Sequence, residues 1–337
     1  MNRFFSFVAS AALLTLICSP LPAPAETGNY AQRPEGKALL KRLQKADGVD
    51  IDEARALLED ATYQPKIVAA MRKPAERTLT WADYRPIFLQ PERAEKGAAY
   101  IAEHQAMFDA AEEKYGVPAN IVAAIIGVET KYGAFVGRNR VLDALSTLAF
   151  DYPERGAYFT RELEGFIQLC VEEDLACDSE IGSYAGAMGL PQFMPSSYRA
   201  YAVDGNDNGK RDLWQEPADV IASVANYLAE HHWQRGAPVS LPAWIGDTGQ
   251  LDAIERSKRE PAYRWDALHR LGVRVDTPPA DDAQVGLLEF QGAHGTEYWL
   301  GLNNFFVITT YNHSPLYAMA VYQLGQEIAA RQDHDTP

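Results

Sequence analysis

The chain has 337 residues, of which 47% are hydrophobic and 23% charged, a composition that can bury a large core and usually divides into two or three domains. Forty-six acidic residues against 31 basic ones give a formal net charge of −15. Such a surface repels phosphate backbones and anionic lipid head groups, so the composition argues against nucleic acid as a partner.

The first 25 residues have the pattern of a secretory signal peptide. Arg3 precedes an apolar run over residues 4–17, and Ala23-Pro24-Ala25 forms an A-x-A cleavage site. The apolar run is too short to cross a bilayer as a permanent helix. The sequence therefore predicts an exported protein whose mature chain begins near residue 26 and carries no transmembrane segment.

The three cysteines bear on how the chain is exported and cross-linked. Cys18 would be the anchor site of a lipoprotein, but the bulky Ile17 before it argues against that alternative. Cys170 and Cys177 remain in the mature chain, and an oxidising compartment favours a disulfide between them. Two buried free thiols are the other interpretation.

Residues 26–105 carry only helical signals and predict an N-terminal helical domain. Apolar residues recur at helical spacing, and Gly, Pro and capping residues mark the ends of each segment. The first predicted helix ends at Gly48, and the second begins at the Asp50-x-x-Glu53 capping box. The third covers residues 66–71, the fourth begins at Thr80, and the fifth runs unbroken over 91–115.

A carboxylate stands on the apolar face of the next helix, in the segment 116–133. Ile125 and Ile126 fall at helical spacing on the same face as Glu129. Burial disfavours the charged form of a carboxyl group, so we expect the pKa of Glu129 to be raised toward that of a general acid. The alternative is a helix-end glutamate that turns outward or pairs with Lys131 or an arginine.

Residues 182–198 form a second motif, rich in Gly and Ala, with polar groups from Ser183, Gln192 and Tyr198 in an apolar setting. Glycine lets the backbone approach a ligand or another segment closely. The pattern is therefore compatible with the wall of a binding site or with a tight packing corner between helices.

A third motif, residues 204–212, matches the start of an EF-hand calcium loop. Oxygen-bearing side chains stand at its first, third and fifth places and Gly at its sixth, as a hard cation and a sharp turn require. The twelfth place is Gln215, which cannot supply a bidentate carboxylate, so Glu216 or Asp219 would have to reach in. The alternative is a turn rich in Asp and Asn.

The C-terminal part of the chain changes in pattern. Residues 236–302 carry Pro, Gly and short alternating runs, with strand signals at 285–290 and 298–302 and a small helix at 265–271. Helical periodicity returns after Ser314-Pro315, a cap followed by a proline at the first helical position. The sequence therefore predicts a mainly α fold with a small α+β insertion.

An exported, acidic, mainly helical chain with one candidate buried acid suggests an enzyme that attacks a neutral polymer. Cleavage of a glycosidic bond needs such an acid to protonate the leaving oxygen, and the usual glycosidase has a second carboxylate opposite it. No second carboxylate is evident from spacing, because the candidates look like turn or surface acids: Asp143, Asp151, Glu162 and Glu164.

Together, the motifs closely resemble those of the lytic murein transglycosylase B family, enzymes related to goose-type lysozyme that cut bacterial peptidoglycan. The resemblance spans most of the mature chain and follows the family order. It is carried by Glu129 to Gly133, residues 182–198, residues 202–209 with Leu213-Trp214, residues 224–227, and Tyr311 to Ser314 with Tyr317.

The resemblance implies a lysozyme-like helical core formed by residues 106–235 and 303–337. The signal peptide (1–25), the N-terminal helical domain (26–105) and the α+β insertion (236–302) complete the predicted organisation. The implied protein is a soluble periplasmic enzyme that acts on glycan strands without a catalytic cofactor. Cell-wall synthases are candidate partners, and a monomer is expected.

The resemblance also implies a cleavage without water. Glu129 would protonate the oxygen between N-acetylmuramic acid (MurNAc) and N-acetylglucosamine (GlcNAc). It would then remove the proton from the C6 hydroxyl of the muramoyl residue, which closes a 1,6-anhydro ring. The nucleophile belongs to the substrate, which explains why no second carboxylate is evident. The alternatives are a muramidase that lets water attack and a non-catalytic peptidoglycan-binding protein.

The family motifs, matched residue by residue, assign further roles. Ser183 and Asn312 are expected to bind the muramoyl sugar, and Gln192 lines the same cleft. Four aromatic walls and two weaker contacts complete the substrate site: Tyr84, Tyr227, Tyr311, Tyr317, Met188 and Arg155. The ligands implied for a structural calcium ion are Asp204, Asn206, Asn208, the carbonyl of Lys210, and Asp219.

Overall fold

A computed structural model describes residues 28–72, 79–246 and 248–334 of the chain. The predicted signal peptide, residues 1–25, lies outside the described residues. Within the described ranges, no helix has both the length and the apolar character needed to cross a membrane.

Helices fill the described chain before residue 116, and several begin at the predicted caps. The Asp50 carboxylate accepts the backbone N–H groups of Asp52 and Glu53, and Thr80 and Asp83 form a reciprocal capping box. These contacts satisfy N–H groups that have no partner inside a helix. The helices are α1 (Pro34–Leu43), α2 (Ile51–Asp60), α3 (Pro65–Met71), α4 (Trp81–Phe88), α5 (Pro91–Glu103) and α6 (Gln105–Tyr115).

The prediction of a single helix over 91–115 is wrong, because the structure breaks it at His104. This residue has φ −115° and ψ 26°, outside the helical region, and its N–H bonds to the carbonyls of Tyr100 and Ile101. Its ring packs edge-on against Tyr100, with ring centroids 4.6 Å apart. The apolar periodicity continues on both sides of the break and so does not reveal it.

The main core is built around one apolar helix, α7 (Ala119–Thr130). The helices before residue 116 contribute to this core as well, and the later elements packed in it include β1 (Asn139–Arg140), α8 (Val141–Asp151), α9 (Gly156–Glu173), β2 (Ile181–Gly182), α10 (Pro195–Tyr201), α11 (Pro217–Glu230), α13 (Asn303–Tyr311) and α14 (Pro315–His334). Nine of the twelve residues of α7 are buried, and it packs against α5, α11 and α14. A helix that is apolar all round must be enclosed by protein.

The chain between α11 and α13 forms an antiparallel sheet with one helix. Its elements are β3 (Ser240–Ile245), β4 (Tyr263–Arg264), α12 (Trp265–Arg270), β5 (Val273–Arg274), β6 (Gln284–Gly292) and β7 (Gly295–Gly301). The strands adjoin in the order β4-β6-β7-β3-β5, and β6 and β7 form a hairpin in which Leu288 lies opposite Trp299.

The two faces of β6 belong to different cores. Leu287 faces a small cluster around Trp265, whereas Leu288 and Phe290 belong to the main core. Phe290 contacts Trp81 of α4, with ring centroids 5.6 Å apart. Because side chains alternate along a strand, this one strand attaches the sheet to the helices.

The predicted mainly α fold with a small α+β insertion is confirmed, as are the strands at 285–290 and 298–302 and the helix at 265–271. The sequence does not predict β3, which contains Pro242, a residue that is unfavourable inside a sheet, or β4 and β5, which have two residues each. It also does not predict α13, which is rich in the β-branched and aromatic residues that favour strands. The proposed domain limits stay predictions.

Cys170 and Cys177 are joined by a disulfide, with Cα atoms 5.7 Å apart. The bond links the last turn of α9 to the segment that leads into β2. Since β2 pairs with β1 and directly precedes Ser183, the cross-link fixes the chain before the glycine-rich motif.

Two of the four acids expected at turns or on the surface are buried instead. Glu162 in α9 is 3% exposed and accepts hydrogen bonds from the N–H and the hydroxyl of Ser196, at 3.0 and 2.8 Å. Asp143 in α8 is 6% exposed and accepts the N–H of Thr62 at 2.8 Å, and burial raises its pKa. Both carboxylates hold neighbouring segments against the core.

The other two acids form ion pairs between helices. Asp151 accepts the hydroxyl of Tyr30 at 2.8 Å and pairs with Arg33 at 2.7 Å. Glu164 pairs with Arg42 at 2.7 Å. All four candidate carboxylates therefore serve the fold.

The replacement Glu162→Ala should destabilise the fold by about 2 kcal/mol, because it removes a buried carboxylate that accepts two hydrogen bonds from Ser196, and hydrogen bonds to a charged group contribute more than neutral ones. Glu164→Ala on the same helix breaks a partly exposed ion pair and is the matched control, with an expected loss of about 0.5 kcal/mol. Denaturant unfolding measures both free energies. Equal losses would show that Ser196 does not depend on Glu162.

Candidate active site

Glu129 lies in the last turn of α7, which ends in three consecutive left-handed residues. Lys131, Tyr132 and Gly133 have φ of 54°, 60° and 82°. The N–H of Lys131 bonds to the carbonyl of Gly127 and closes the last turn. The chain therefore leaves the helix directly after Glu129, whose half-buried side chain lies at the edge of the main core.

The side chain of Tyr132 fixes this turn. Its hydroxyl donates to the carbonyl of Arg93 at 3.1 Å, and it lies against Gly97 of α5 and Gly127 of α7. A Cβ atom at either glycine would overlap the Tyr132 hydroxyl, so both positions require glycine. The sequence reasoning missed Tyr132, although a glycine inside each of two helices is a signal of close approach.

A hydrogen bond from Tyr317 of α14 orients the Glu129 carboxylate. The Tyr317 hydroxyl donates to Oε1 at 2.6 Å, and the residue is 2% exposed. Burial, together with the negative charge of Glu129, raises the pKa of Tyr317 well above its usual value. The phenol therefore keeps its proton near neutral pH and remains a donor to Oε1.

The other predicted tyrosines form one group with Tyr317. Tyr311 stacks on Tyr317 with ring centroids 6.3 Å apart, and it contacts Tyr227 at 4.8 Å. Its hydroxyl donates to the carbonyl of Pro191 at 2.6 Å. Tyr84 of α4 is buried and close enough to Tyr317 to raise the pKa of Tyr317.

Hydrogen bonds join the glycine-rich motif to the turn that follows Glu129. Thr130 Oγ1 donates to the carbonyl of Leu190 at 3.0 Å. Gln192, with φ 52°, donates from its side-chain amide to the carbonyls of Gly189 at 2.9 Å and Val136 at 3.2 Å. The motif therefore packs tightly against the segment that carries the candidate acid.

Ser183 and Asn312 lie on the segments that border this group. Ser183 Oγ accepts the N–H groups of Ala185 and Ala187, at 3.2 and 3.0 Å, and so shapes the turn of the motif. Asn312 follows Tyr311 at the end of α13. Both residues are partly accessible, and their contacts with a sugar stay predictions.

Two weaker predictions occupy other kinds of position. Met188 is fully buried and exchanges backbone hydrogen bonds with Phe193, so its side chain packs behind the motif. A contact between Met188 and a glycan stays a prediction. Arg155 precedes α9 and is exposed, with its guanidinium group over the ring of Tyr158 at 4.4 Å. Its role stays a prediction.

A cavity of about 810 Å³ lies beside Glu129, between the end of α4, the start of α5 and the turn after α7. Glu129 is the one acidic residue in its described lining, which also contains two cations, Arg93 and Lys131. An acid in such a cleft can meet a polymer that enters from solvent. None of the nine predicted substrate-binding residues is in this described lining: Ser183, Gln192, Asn312, Tyr84, Tyr227, Tyr311, Tyr317, Met188 and Arg155.

The loop from Asp204 to Asp212 folds around its own side-chain oxygens. Asp204 accepts the N–H groups of Asn208 at 3.1 Å and Gly209 at 2.6 Å. Asn206 and Asn208 each accept the N–H two residues ahead, at 3.2 and 2.9 Å, and Gly209 has φ 87°. Three oxygen-bearing side chains thus gather in one tight turn, a donor set that suits a hard cation.

Asp219 ties this loop to α11. Its fully buried carboxylate accepts the N–H groups of Gly205 and Asp212, both at 2.7 Å. Burial raises its pKa, and the charges of Asp204 and Glu216 act in the same direction, against the two N–H donors. Within the described ranges, no three His, Cys, Asp or Glu side chains form a metal cluster, since two donors of the loop are asparagines.

The chain matches the family model described as the transglycosylase SLT domain over residues 31–326. It is similar to the membrane-bound lytic murein transglycosylase B of Escherichia coli (strain K12). The two are 35% identical, over 94% of this chain and 95% of that protein.

Solved structures of bacterial lytic transglycosylases share the fold. Pseudomonas aeruginosa SltB1 is 43% identical with a TM-score of 0.85, over 90% of this chain and 99% of that one. E. coli Slt35 in complex with calcium is 36% identical with a TM-score of 0.83, over 92% of this chain and 97% of that one. P. aeruginosa SltB3 in complex with NAG-anhNAM-pentapeptide is 30% identical with a TM-score of 0.72, over 87% of this chain and 78% of that one.

Family model, identity and fold agree over most of the chain, and the predicted lysozyme-like lytic transglycosylase architecture is confirmed. The chain belongs to the SLT transglycosylase family and is a lytic murein transglycosylase.

Proposed function

We propose that the enzyme cleaves the β-1,4 bond between MurNAc and GlcNAc in peptidoglycan without water and leaves a 1,6-anhydro-MurNAc end. The observation that carries the proposal is the Glu129 carboxylate, the one acidic group in the described cavity lining, oriented by Tyr317. SltB3, the relative in complex with NAG-anhNAM-pentapeptide, supports an anhydro product.

A single carboxylate can perform both proton transfers. Glu129 donates its proton to the glycosidic oxygen as the bond to C1 of MurNAc breaks. The resulting carboxylate accepts the proton of the C6 hydroxyl as that oxygen bonds to C1. Attack from within the same sugar has a large advantage, because no separate water has to be positioned. The four other candidate acids form contacts elsewhere in the fold, which supports a reaction that uses a single carboxylate.

The hydrogen bond from Tyr317 distinguishes the two oxygens of Glu129. We assign the transferred proton to Oε2, because Oε1 accepts the hydroxyl of Tyr317. The same donor stabilises the carboxylate that forms after the first transfer. A partner that keeps its own proton suits a group that alternates between acid and base.

The tyrosine group and the glycine-rich motif supply the proposed sugar site. Aromatic rings suit the apolar faces of a neutral glycan, and Tyr227 and Tyr311 are the proposed walls. Ser183 and Asn312 are the proposed hydrogen-bond partners of the muramoyl residue, with Gln192 shaping the motif between them. Tyr84 and Tyr317 are buried, and their contribution is to the surroundings of Glu129.

We place the enzyme in the periplasm, where its proposed substrate lies. The signal-like residues 1–25 and the disulfide between Cys170 and Cys177 support export to an oxidising compartment. The E. coli relative is named as membrane-bound, whereas the mature form proposed for this chain begins near residue 26 and no longer contains Cys18.

A structural calcium ion at the 204–212 loop completes the proposal. Its donors would be Asp204, Asn206, Asn208 and the carbonyl of Lys210, and Glu216 reaches Asn206 at 3.3 Å. The Slt35 structure in complex with calcium supports this assignment. Both oxygens of Asp219 accept backbone N–H groups, so we assign Asp219 to loop closure in place of direct coordination. The ion would stabilise the loop and take no part in the reaction.

Glu129→Gln should lower the turnover of peptidoglycan strands by about 10³-fold, because an amide can neither donate the proton nor accept it back. Binding of the strands should remain, which separates an enzyme from a glycan-binding protein. Glu164→Gln is the matched control and should keep wild-type turnover. Turnover that survives in Glu129→Gln would exclude Glu129 as the acid.

Mass spectrometry of digested sacculi tests the reaction itself. Wild-type enzyme should produce anhydro-MurNAc ends, because the C6 hydroxyl is the nucleophile. Reducing MurNAc ends in their place would indicate attack by water and a muramidase.

Tyr317→Phe should move the alkaline limb of the pH–rate profile to higher pH by about one unit. The lost donor stabilised the ionised form of Glu129, so the acid holds its proton longer. Tyr311→Phe is the control, because that hydroxyl donates to the carbonyl of Pro191 and should leave the limb in place. The same limb in all three proteins would refute the assigned hydrogen bond.

Chelation of calcium should lower the melting temperature and leave the products of the reaction unchanged. An ion that binds only the folded state stabilises it by about 2.7 kcal/mol at a hundredfold excess over Kd. Asp204→Ala should make the melting curve insensitive to calcium, whereas the exposed Asp178→Ala should respond as the wild type does. Identical wild-type curves with calcium and with chelator would contradict the loop assignment.

A further inference from the structure

Arg93 is a buried cation that forms no ion pair with any described residue. The residue is 5% exposed, and neither Nε nor Nη1 has a hydrogen-bond partner among the described residues. None of the ion pairs within the described ranges includes it. Buried guanidinium donors in proteins nearly always have a partner, because leaving them unpaired is costly. The missing partner points to a ligand.

The surroundings of Arg93 favour an anion. It lines the same cavity as Glu129, and Lys131 adds a second positive charge to that lining. Gln90, the residue before the first turn of α5, lines the cavity as well and adds a neutral amide to it. Positive charge thus gathers at one place in a chain whose net charge is −15.

The fold holds Arg93 beside the catalytic turn. Its guanidinium group lies over the ring of Phe88 at 5.3 Å, which limits its freedom. Its carbonyl accepts the hydroxyl of Tyr132, which belongs to the turn after Glu129. A group bound by Arg93 therefore has a fixed position relative to the acid.

We propose that Arg93 binds a carboxylate of the peptide stem carried by the muramoyl residue, so that the enzyme recognises the stem as well as the glycan. The inference rests on the proposed function, since it takes peptidoglycan as the substrate. The parallel N–H groups of a guanidinium match the two oxygens of a carboxylate. In a strand whose sugar rings are neutral, the stem supplies the carboxylates.

Calorimetry with the disaccharide NAG-NAM-pentapeptide tests the proposal, with a second ligand in which the peptide carboxylates are converted to amides. The wild-type enzyme should bind the free acid about tenfold more tightly than the amide, the effect of a hydrogen bond to a charged group. Arg93→Met keeps an unbranched apolar stem over Phe88 and should bring the ratio of affinities close to one. Arg138→Met, at an exposed cation over Phe135, is the matched control and should keep the wild-type ratio.

Equal affinity of the wild type for the two ligands would overturn the proposal without any variant. An unchanged ratio in Arg93→Met would overturn it as well. NAG-NAM without a peptide serves as a third ligand, because its lactyl group then ends in a carboxylate. If only this ligand loses affinity in Arg93→Met, the cation binds the lactyl group and the peptide assignment falls. Failure of the proposed function would appear separately, as the absence of anhydro ends from wild-type digests.

Discussion

The active site depends on how α7 ends. This helix is apolar on every side and must be enclosed, yet Glu129 in its last turn has to reach a cavity. The left-handed residues Lys131 and Tyr132 end the helix within two residues of the acid, at roughly 1–2 kcal/mol each for side chains in that conformation. The close packing of Tyr132 against Gly97 and Gly127 offsets this strain. The packing of α5 on α7 therefore sets the position of the carboxylate.

The stacked pair of tyrosines connects the acid to the glycine-rich motif. Tyr317 donates to Glu129, and Tyr311, almost parallel to it, donates to the carbonyl of Pro191. Thr130 makes a second link to the same motif through Leu190. The motif is therefore a packing corner against the acid, and the proposed sugar-binding wall is built on the same contacts.

Signals that act within a few residues predicted much of the fold and the position of Glu129, the candidate acid, on an apolar helix. The caps at Asp50 and Thr80 and the helical spacing around Glu129 are local, and they are present in the structure. The family resemblance supplied the tyrosine group, which no local pattern brings together.

Local sequence signals did not predict the features that depend on contacts between distant segments. The break at His104, the burial of Glu162 and the roles of Tyr132 and Arg93 each arise from a partner or a packing neighbour that periodicity does not encode. The composition of the 204–212 loop likewise predicts oxygen donors but not their orientation. It therefore does not predict that the carboxylate of Asp219 accepts backbone N–H groups.

Long-range charge and local charge act differently on this enzyme. A chain of net charge −15 repels a substrate that carries peptide carboxylates, but salt screens such repulsion beyond roughly 8–10 Å. The proposed ligand of Arg93 would lie well within that distance, beside a guanidinium group whose Nε and Nη1 atoms are almost completely removed from water. One buried guanidinium can therefore outweigh many surface acids in deciding which part of a strand lies beside Glu129. That position in turn determines which glycosidic oxygen the acid can reach.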